Sequence, residues 1–559
     1  LVALLSASVH AQSVMNPSDS VYEDIRDWQT KGLVGLLPQL RPYPAQLVKD
    51  VLAKVSESGS AVDANRARYQ SERLFGKPIV IGVKAEGTML AGTGESAKQL
   101  VGGIFAAGHI EPIDLTSIEF DFNILASNKS FSTLIAPAHE KTSYDLVDDP
   151  MTISSSIPIF GYFLGNASAA FGTSEAYIQA GLNRSSWGDF IDDGIVVSPD
   201  AFHMGNFTAA LNRDTWNYGL SMFCLSATTN GNGGFYPEKF LVLHSITAAP
   251  APILEITFFE NIVYGKRIEP LYLVPVVPMM ISQGMAGFNE DNLMMGLSLK
   301  VKPIKGLAWS TAVMMDDMNL NEFIKLDFNT QIKLAGQTGI VWTPESALVS
   351  SVSLDYTLVM PYMYTHSSND TDNTINHLTV VNYQNYTNRG YGIGSQLNPN
   401  SDSIALKTTV RPFDSLQLKL AASFIRHANV NESLPDDVAQ RYLDAANGDY
   451  HSDGGINNYP ELDEQYIKFA RENLLFLSQE TMEYTIRGSI DASWELPREV
   501  WGQISLTAAW TCEYIINYGV DRDMYPSSVT TPAAAKQAWK DNLKNVMNNY
   551  VSLGLKYSW

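Results

Sequence analysis

Along most of this chain apolar side chains recur at every second residue, in runs long enough to cross a bilayer as tilted strands. The clearest run passes through Ile404, Leu406, Thr408 and Val410, turns at Arg411-Pro412-Phe413-Asp414-Ser415, and returns through Leu416, Leu418, Leu420, Ala422 and Phe424. The intervening Lys407, Thr409, Gln417, Lys419 and Ser423 are polar or small. Tyr484, Ile486, Ile490 and Trp494 with Ile504, Leu506, Ala508, Trp510 and Cys512 repeat the pattern, as do Leu297, Leu299 and Val301 with Leu307, Trp309, Thr311 and Val313. Side chains alternate across a strand, so each segment carries one apolar and one polar face. Segments of about 10 residues suit a tilted membrane crossing, whereas the strands of soluble sandwiches and propellers average about 5–6 residues. No run of about 18 apolar residues is present, which excludes helical spans.

Charge agrees with that reading. Only 17% of residues are charged, against roughly a quarter in soluble proteins, and the formal net charge of -21 argues against a nucleic-acid partner. Cys224 and Cys512 match neither a disulfide framework nor a zinc pattern. Residues 1–11, Leu1 to Ala11, read as the end of a signal peptide with a small-x-Ala cleavage site, the charged region being expected upstream and the mature chain beginning near Gln12. Residues 12–76 read as a helical subdomain. Ser20 and Glu23 have capping-box spacing, Val21, Ile25 and Trp28 share a face, and Gly32 stops the helix. A second amphipathic stretch carries Leu47, Val48, Val51 and Leu52.

Residues 77–559 are therefore expected to form a mainly β, transmembrane antiparallel barrel of roughly 18 strands, with the small α-helical subdomain on the periplasmic side. Short turns near Pro250–Pro252 and Pro344 alternate with long, polar, often acidic stretches at about 264–291, 364–402, 426–480 and 515–547. That asymmetry belongs to outer-membrane barrels, with turns in the periplasm and loops outside. Tyr362, Tyr364, Trp494, Trp501 and Tyr514 are expected in the interface girdles. The last strand, Ser552 to Trp559, places Val551, Leu553, Leu555, Tyr557 and Trp559 toward lipid and Ser552, Gly554, Lys556 and Ser558 toward the lumen. Gly554, Tyr557 and Trp559 form the ending that the outer-membrane barrel assembly machinery reads, and both termini are expected in the periplasm.

The chain shows no convincing catalytic set. Gly87 to Thr93 lacks the phosphate-loop lysine, Gly390 to Gly394 opens no helix, and neither a Gly-x-Ser-x-Gly elbow nor a His-Glu-x-x-His helix occurs. The acidic pairs Asp148-Asp149, Asp192-Asp193, Asp316-Asp317 and Asp436-Asp437 read as solvated rim charge rather than calcium or glycosidase sites. His203, His244 and His427 read as strand-end or lumen residues. Neither a cofactor nor enzymatic chemistry is expected.

Five segments resemble the Wzi-type capsule assembly family in order. They are Arg41-Pro42-Tyr43, Gly181-Leu182-Asn183-Arg184 with Trp187-Gly188, Glu260-Asn261-Ile262-Val263-Tyr264-Gly265, Met314-Met315-Asp316-Asp317, and Tyr386-Thr387-Asn388-Arg389-Gly390 with Gly394. The resemblance implies a barrel in outer-membrane lipid whose external loops hold capsular or other surface polysaccharide. Loop residues suited to such contacts are Tyr383, Tyr386, Arg389, Tyr391, Asp436, Asp437 and Tyr450, because tyrosine offers a stacking face and aspartate accepts from sugar hydroxyls. The alternative is a general porin, with Lys407, Lys419, Arg487, Asp491 and Glu513 lining a water-filled lumen. An open lumen would favour the porin, and a lumen filled by loops the anchor.

Overall fold

The computed structural model describes residues 15–93, 96–129, 135–137, 151–152, 159–229, 235–287, 291–316, 333–366, 381–444, 475–497, 499, 502–526 and 528–559. The expected signal segment, Tyr450 and Trp501 lie outside them. Three helices come first: α1 (Ser20–Thr30), α2 (Ala45–Ser58) and α3 (Ala61–Phe75). Val21, Ile25, Trp28, Leu47, Val48, Val51 and Leu52 form one buried cluster, because 3.6-residue spacing brings them to facing stripes. The cap of α1 is Asp19, one residue before Ser20, whose carboxylate accepts from the Val21 N–H at 2.9 Å. Gly32 leaves the helix at φ 75°, a conformation open to glycine at no steric cost.

The alternating segments then form β1 (Ile79–Gly92), β2 (Ser96–Ile110), β3 (Thr116–Ser127), β4 (Phe160–Gly172), β5 (Ala176–Asn183), β6 (Met204–Asn212), β7 (Trp216–Thr229), β8 (Phe235–Ala251) and β9 (Leu254–Gly265). They continue through β10 (Asn292–Ile304), β11 (Leu307–Asp316), β12 (Lys333–Trp342), β13 (Val349–Val359), β14 (Ser401–Phe413), β15 (Leu416–Ala428), β16 (Met482–Glu495), β17 (Gln503–Tyr518) and β18 (Lys544–Ser558). Each strand pairs antiparallel with the next, and β18 closes the barrel on β1 from Gly82↔Ser558 to Gly92↔Asn548. Closure leaves no row of unpaired backbone groups, which is what lets a sheet stand in hydrocarbon. The 18 strands match the expected number.

The faces follow the alternation. On β15, Leu420 and Phe424 are exposed outside while Gln417 and Ile425 are buried inside. On β18, Leu553 and Leu555 are exposed, as is Trp559 just after it, and Ser552, Lys556 and Ser558 are buried. Gly554 faces inward, where a Cβ would come within 2.3 Å of Thr507 Oγ1. Soluble proteins rarely expose a continuous apolar surface on this scale, so the belt is a lipid surface. Leu553→Arg, at a side chain 64% exposed, is expected to cost about 2–4 kcal/mol of folding free energy in vesicles. A urea titration in lipid reads this, and an unchanged midpoint would remove Leu553 from the membrane.

The two ends differ as expected. Connections at one end span 111–115, 173–175, 213–215, 252–253, 305–306, 343–348, 414–415 and 496–502. At the other, 93–95 and 230–234 are short, and 128–159, 184–203, 266–291, 317–332, 360–400, 429–481 and 519–543 are long. Trp216, Trp309, Trp342, Phe413, Trp494 and Trp559 ring the outer surface near the short turns. Tyr514 is likewise exposed on the outer wall, toward the long loops. Tyr362 and Tyr364, expected in a girdle, are instead buried, because their loop folds inward and other loops cover it.

Candidate functional site

The helices seat in the mouth framed by the short turns. Their acidic groups meet basic groups on the inner wall: Glu23 pairs with Lys419, and Asp24 lies 3.0 Å from Arg411. Gln417 donates to Glu23 at 2.7 Å, and Arg26 donates to Ser351 at 3.2 Å. Tyr69 donates to Glu495 at 2.9 Å, Gly306 N–H to the Thr30 carbonyl at 3.1 Å, and Asn217 to the Leu37 carbonyl at 2.8 Å. These bonds run from α1, α3 and the chain after α1 to strands around the barrel, so the bundle is a clamped plug.

Above it, the connection at 184–203 and the described residues of the next long one, 360–366 and 381–400, descend into the lumen. Leu40↔Trp187 and Arg41↔Ser186 pair as a short two-stranded sheet. Arg41 donates to Ser186 Oγ at 3.0 Å and to the Gly188 carbonyl at 2.6 Å. Trp187, Ile195, Val196, Val197, Tyr364 and Tyr386 then pack against inward side chains of the wall, among them Phe223, Phe259, Val263, Met294 and Met314. The Trp187 and Phe259 ring centroids are 4.5 Å apart. Tyr364 donates to the Ile195 carbonyl and Tyr386 to the Val196 carbonyl, each at 2.8 Å, and the two rings stack at 5.5 Å. This part of the lumen is thus a second hydrophobic core.

The residues proposed for a pore lining do face inward, but ion pairs engage most of them. Lys407 meets Asp192 at 2.8 Å, Arg487 meets Glu513 at 3.2 Å, and Lys419 holds Glu23. A cavity of about 360 Å³ remains on this side, bordered by Arg26, Asp192, Lys407, Lys419, Arg487 and Asp491.

No family model matches the sequence, and no curated protein matches it. Among solved structures, Wzi from Escherichia coli, an outer-membrane protein involved in group 1 capsule assembly and described as a carbohydrate-binding β-barrel, aligns over 96% of this chain and 97% of its own. The TM-score is 0.54 and the identity 12%. The chain shares the Wzi fold. OprD from Pseudomonas aeruginosa aligns over 86% of this chain and 95% of its own, with TM-score 0.41 and 6% identity. OccAB2 from Acinetobacter baumannii aligns over 86% and 98%, with TM-score 0.38 and 11% identity. The segments that resemble the Wzi-type family meet in space within the plug: Arg41 touches Ser186 and Gly188, and Trp187, Val263, Met314 and Tyr386 share one core.

At the long-loop end of this Wzi-like barrel, the proposed loop contacts separate. Tyr391 is 44% exposed, with its ring 4.6 Å from Phe202. The Arg389 guanidinium lies over Phe235 at 5.1 Å. Asp436 and Asp437 are exposed in the first turn of a later helix (Asp436–Asp444). Tyr383 packs in a rim cluster with Ala227 and Val381, under Lys266 at 5.5 Å. Tyr386 is a core residue whose ring and hydroxyl are committed to the plug, so a glycan at the loop surface does not reach it. Its position inside a polar loop segment hid this, since nothing local marks a loop that folds inward. Phe202 and Phe235 were missed as well: one lies in the 184–203 connection and the other opens β8, and only the fold brings them to Tyr391 and Arg389.

The lid at the long-loop end has its own core. Val430, Leu434, Val520, Tyr525, Ala535 and Trp539 cluster with Tyr362, and Lys540 meets Glu432 at 2.8 Å, which raises the ammonium pKa. At the rim, Ser401 Oγ lies 2.7 Å from His427 Nδ1 while His427 Nε2 faces Asp521. A hydroxyl, an imidazole and a carboxylate do converge here, but Ser401 is 1% exposed and closed to substrate. The set ties β14 and β15 to the lid. Among the described residues no cluster of His, Cys, Asp and Glu has the arrangement of a metal site.

Proposed function

We propose that this protein sits in the outer membrane and holds surface polysaccharide against the cell through its external loops. In that orientation the helices and both termini lie in the periplasm, and the lid faces outside. The observation that carries the reading is the occupied lumen: a packed core and a clamped bundle fill the space through which a solute would pass. The Wzi fold supports it, and so do Tyr391 and Arg389, which present a ring face and a fork of donors at the surface. Holding a polymer needs no covalent step and no cofactor. The partners are membrane lipid, polysaccharide and, during biogenesis, the barrel assembly machinery.

Purified protein in a planar bilayer is expected to show no steady open conductance, and to retain surface polysaccharide of the source cell in a pull-down. Tyr391→Ala should weaken retention by about threefold to tenfold, the worth of one aromatic stacking contact. A steady channel in the unmodified protein would instead support a solute channel, the second reading, which the charged cavity of about 360 Å³ favours. A closed barrel that retains nothing would leave the anchor without support.

A further inference from the structure

The connection between β9 and β10 leaves the rim and turns back down the outside of the barrel. Strand register shows this. Leu241, Leu243, Phe259 and Val263 face the plug core, so Val242, His244, Glu260 and Ile262 point outward, paired as Val242↔Ile262 and His244↔Glu260. They are buried nonetheless. Val242, Ile262 and Tyr264 pack against Tyr272, in a turn of 3-10 helix (Pro270–Leu273), and Met279, which opens a short helix (Met279–Ala286). Beneath this flap His244 Nε2 lies 3.0 Å from the Tyr272 carbonyl and Nδ1 3.5 Å from Glu260. The Met279 N–H donates to the other Glu260 oxygen at 3.0 Å. At the base, Tyr272 donates to Asp291 at 2.6 Å, and Asp291 pairs with Arg267.

Depth follows from register as well. Leu220, opposite His244, comes four residues after Trp216 of the short-turn girdle, a rise of about 10 Å for a tilted strand. The apolar band of such barrels is about 25 Å tall, so the tip of the flap lies within it. Ile246, Phe258 and Leu297 are exposed close by on the same wall. From Pro270 to Gly287 there is no charged residue, and Val274, Val276, Met280, Ile281 and Met285 are exposed on the flap's outer side.

Non-helical backbone is tolerated at membrane depth where it is buried against protein and its polar groups find partners. Pro270, Pro275 and Pro278 have no N–H to satisfy. Leu271 and Tyr272 donate to Glu269, Val274 to the Leu271 carbonyl, and Val276 to the Tyr218 hydroxyl at 3.3 Å. We propose that residues 270–287 form a flap embedded in the apolar band of the membrane, its outer surface taking lipid acyl chains and its inner surface sealing His244 and Glu260 from them. The proposal rests on the membrane-spanning reading of the barrel and is independent of polysaccharide retention.

The test labels single cysteines with an environment-sensitive fluorophore in full-length protein carrying Cys224→Ser and Cys512→Ser, folded into phospholipid vesicles. Val276→Cys and Met285→Cys probe the flap, Leu553→Cys the belt and Asp437→Cys the aqueous lid. Heat-modified gel mobility establishes that each variant is folded. The flap labels are expected to match the Leu553 label, with emission shifted to shorter wavelength and most intensity lost to lipids spin-labelled on the acyl chain. Quenching by aqueous iodide, as at Asp437, would overturn the proposal, and so would shielding from both quenchers, which would mean that protein covers the flap. Iodide quenching at Leu553 itself would overturn the membrane reading on which it rests.

Discussion

Arg411→Ala is expected to destabilise the plugged state by about 3–5 kcal/mol, the cost of leaving a charge buried without its partner. Asp24 is fully buried. Arg411 engages it through two nitrogens, at 3.0 and 3.2 Å. Without Arg411, Asp24 keeps Gln70 at 2.6 Å and Arg66 at 3.9 Å, one neutral donor and one distant cation. The barrel ladder does not depend on this pair, so the loss should fall on the bundle. Limited proteolysis of residues 20–75 in denaturant would then begin well below the concentration that unfolds the strands. Arg411→Lys should be intermediate, because an ammonium cannot reproduce the two-pronged contact. Equal protease resistance in Arg411→Ala and the parent would show that the clamp contributes little.

Trp187→Ala acts on the other half of the plug and is expected to cost about 3–5 kcal/mol, as for large aromatic truncations in packed cores. The indole lies against Phe259, and its backbone pairs with Leu40 and donates to the Val197 carbonyl at 3.0 Å. Removing the ring takes away the contact that joins the descending loop, the segment after α1 and the wall. The expected result in a planar bilayer is a change from a closed baseline to frequent openings, with the folded gel mobility of the barrel retained. Conductance as low as in the parent protein, together with unchanged thermal stability, would mean that the ring is not what holds the plug.

The strand faces were readable because a period of two survives whatever surrounds it: Leu420, Phe424, Leu553 and Leu555 point outward and Gln417 and Ser552 inward, as alternation requires. Strand ends were less so. The expected turn at Arg411 lies later, since β14 runs through Phe413 and turns at 414–415, which leaves Arg411 facing Asp24. The connection at 266–291, expected to be polar, carries the uncharged stretch from Pro270 to Gly287 and covers an outward-facing histidine, so His244 is neither a strand-end nor a lumen residue.

By itself the sequence determined the strands, the facing of each, the helical prefix and the contrast between turns and loops, because each depends on neighbours within a few residues. Only the tertiary structure decided that loops and helices occupy much of the lumen, that Tyr386 and Tyr364 are core, and that one loop folds outward while others fold inward. A loop carries no periodicity, so its burial depends on the wall it meets. Arg411 and Asp24 are 387 residues apart in the chain, and no local pattern encodes their meeting.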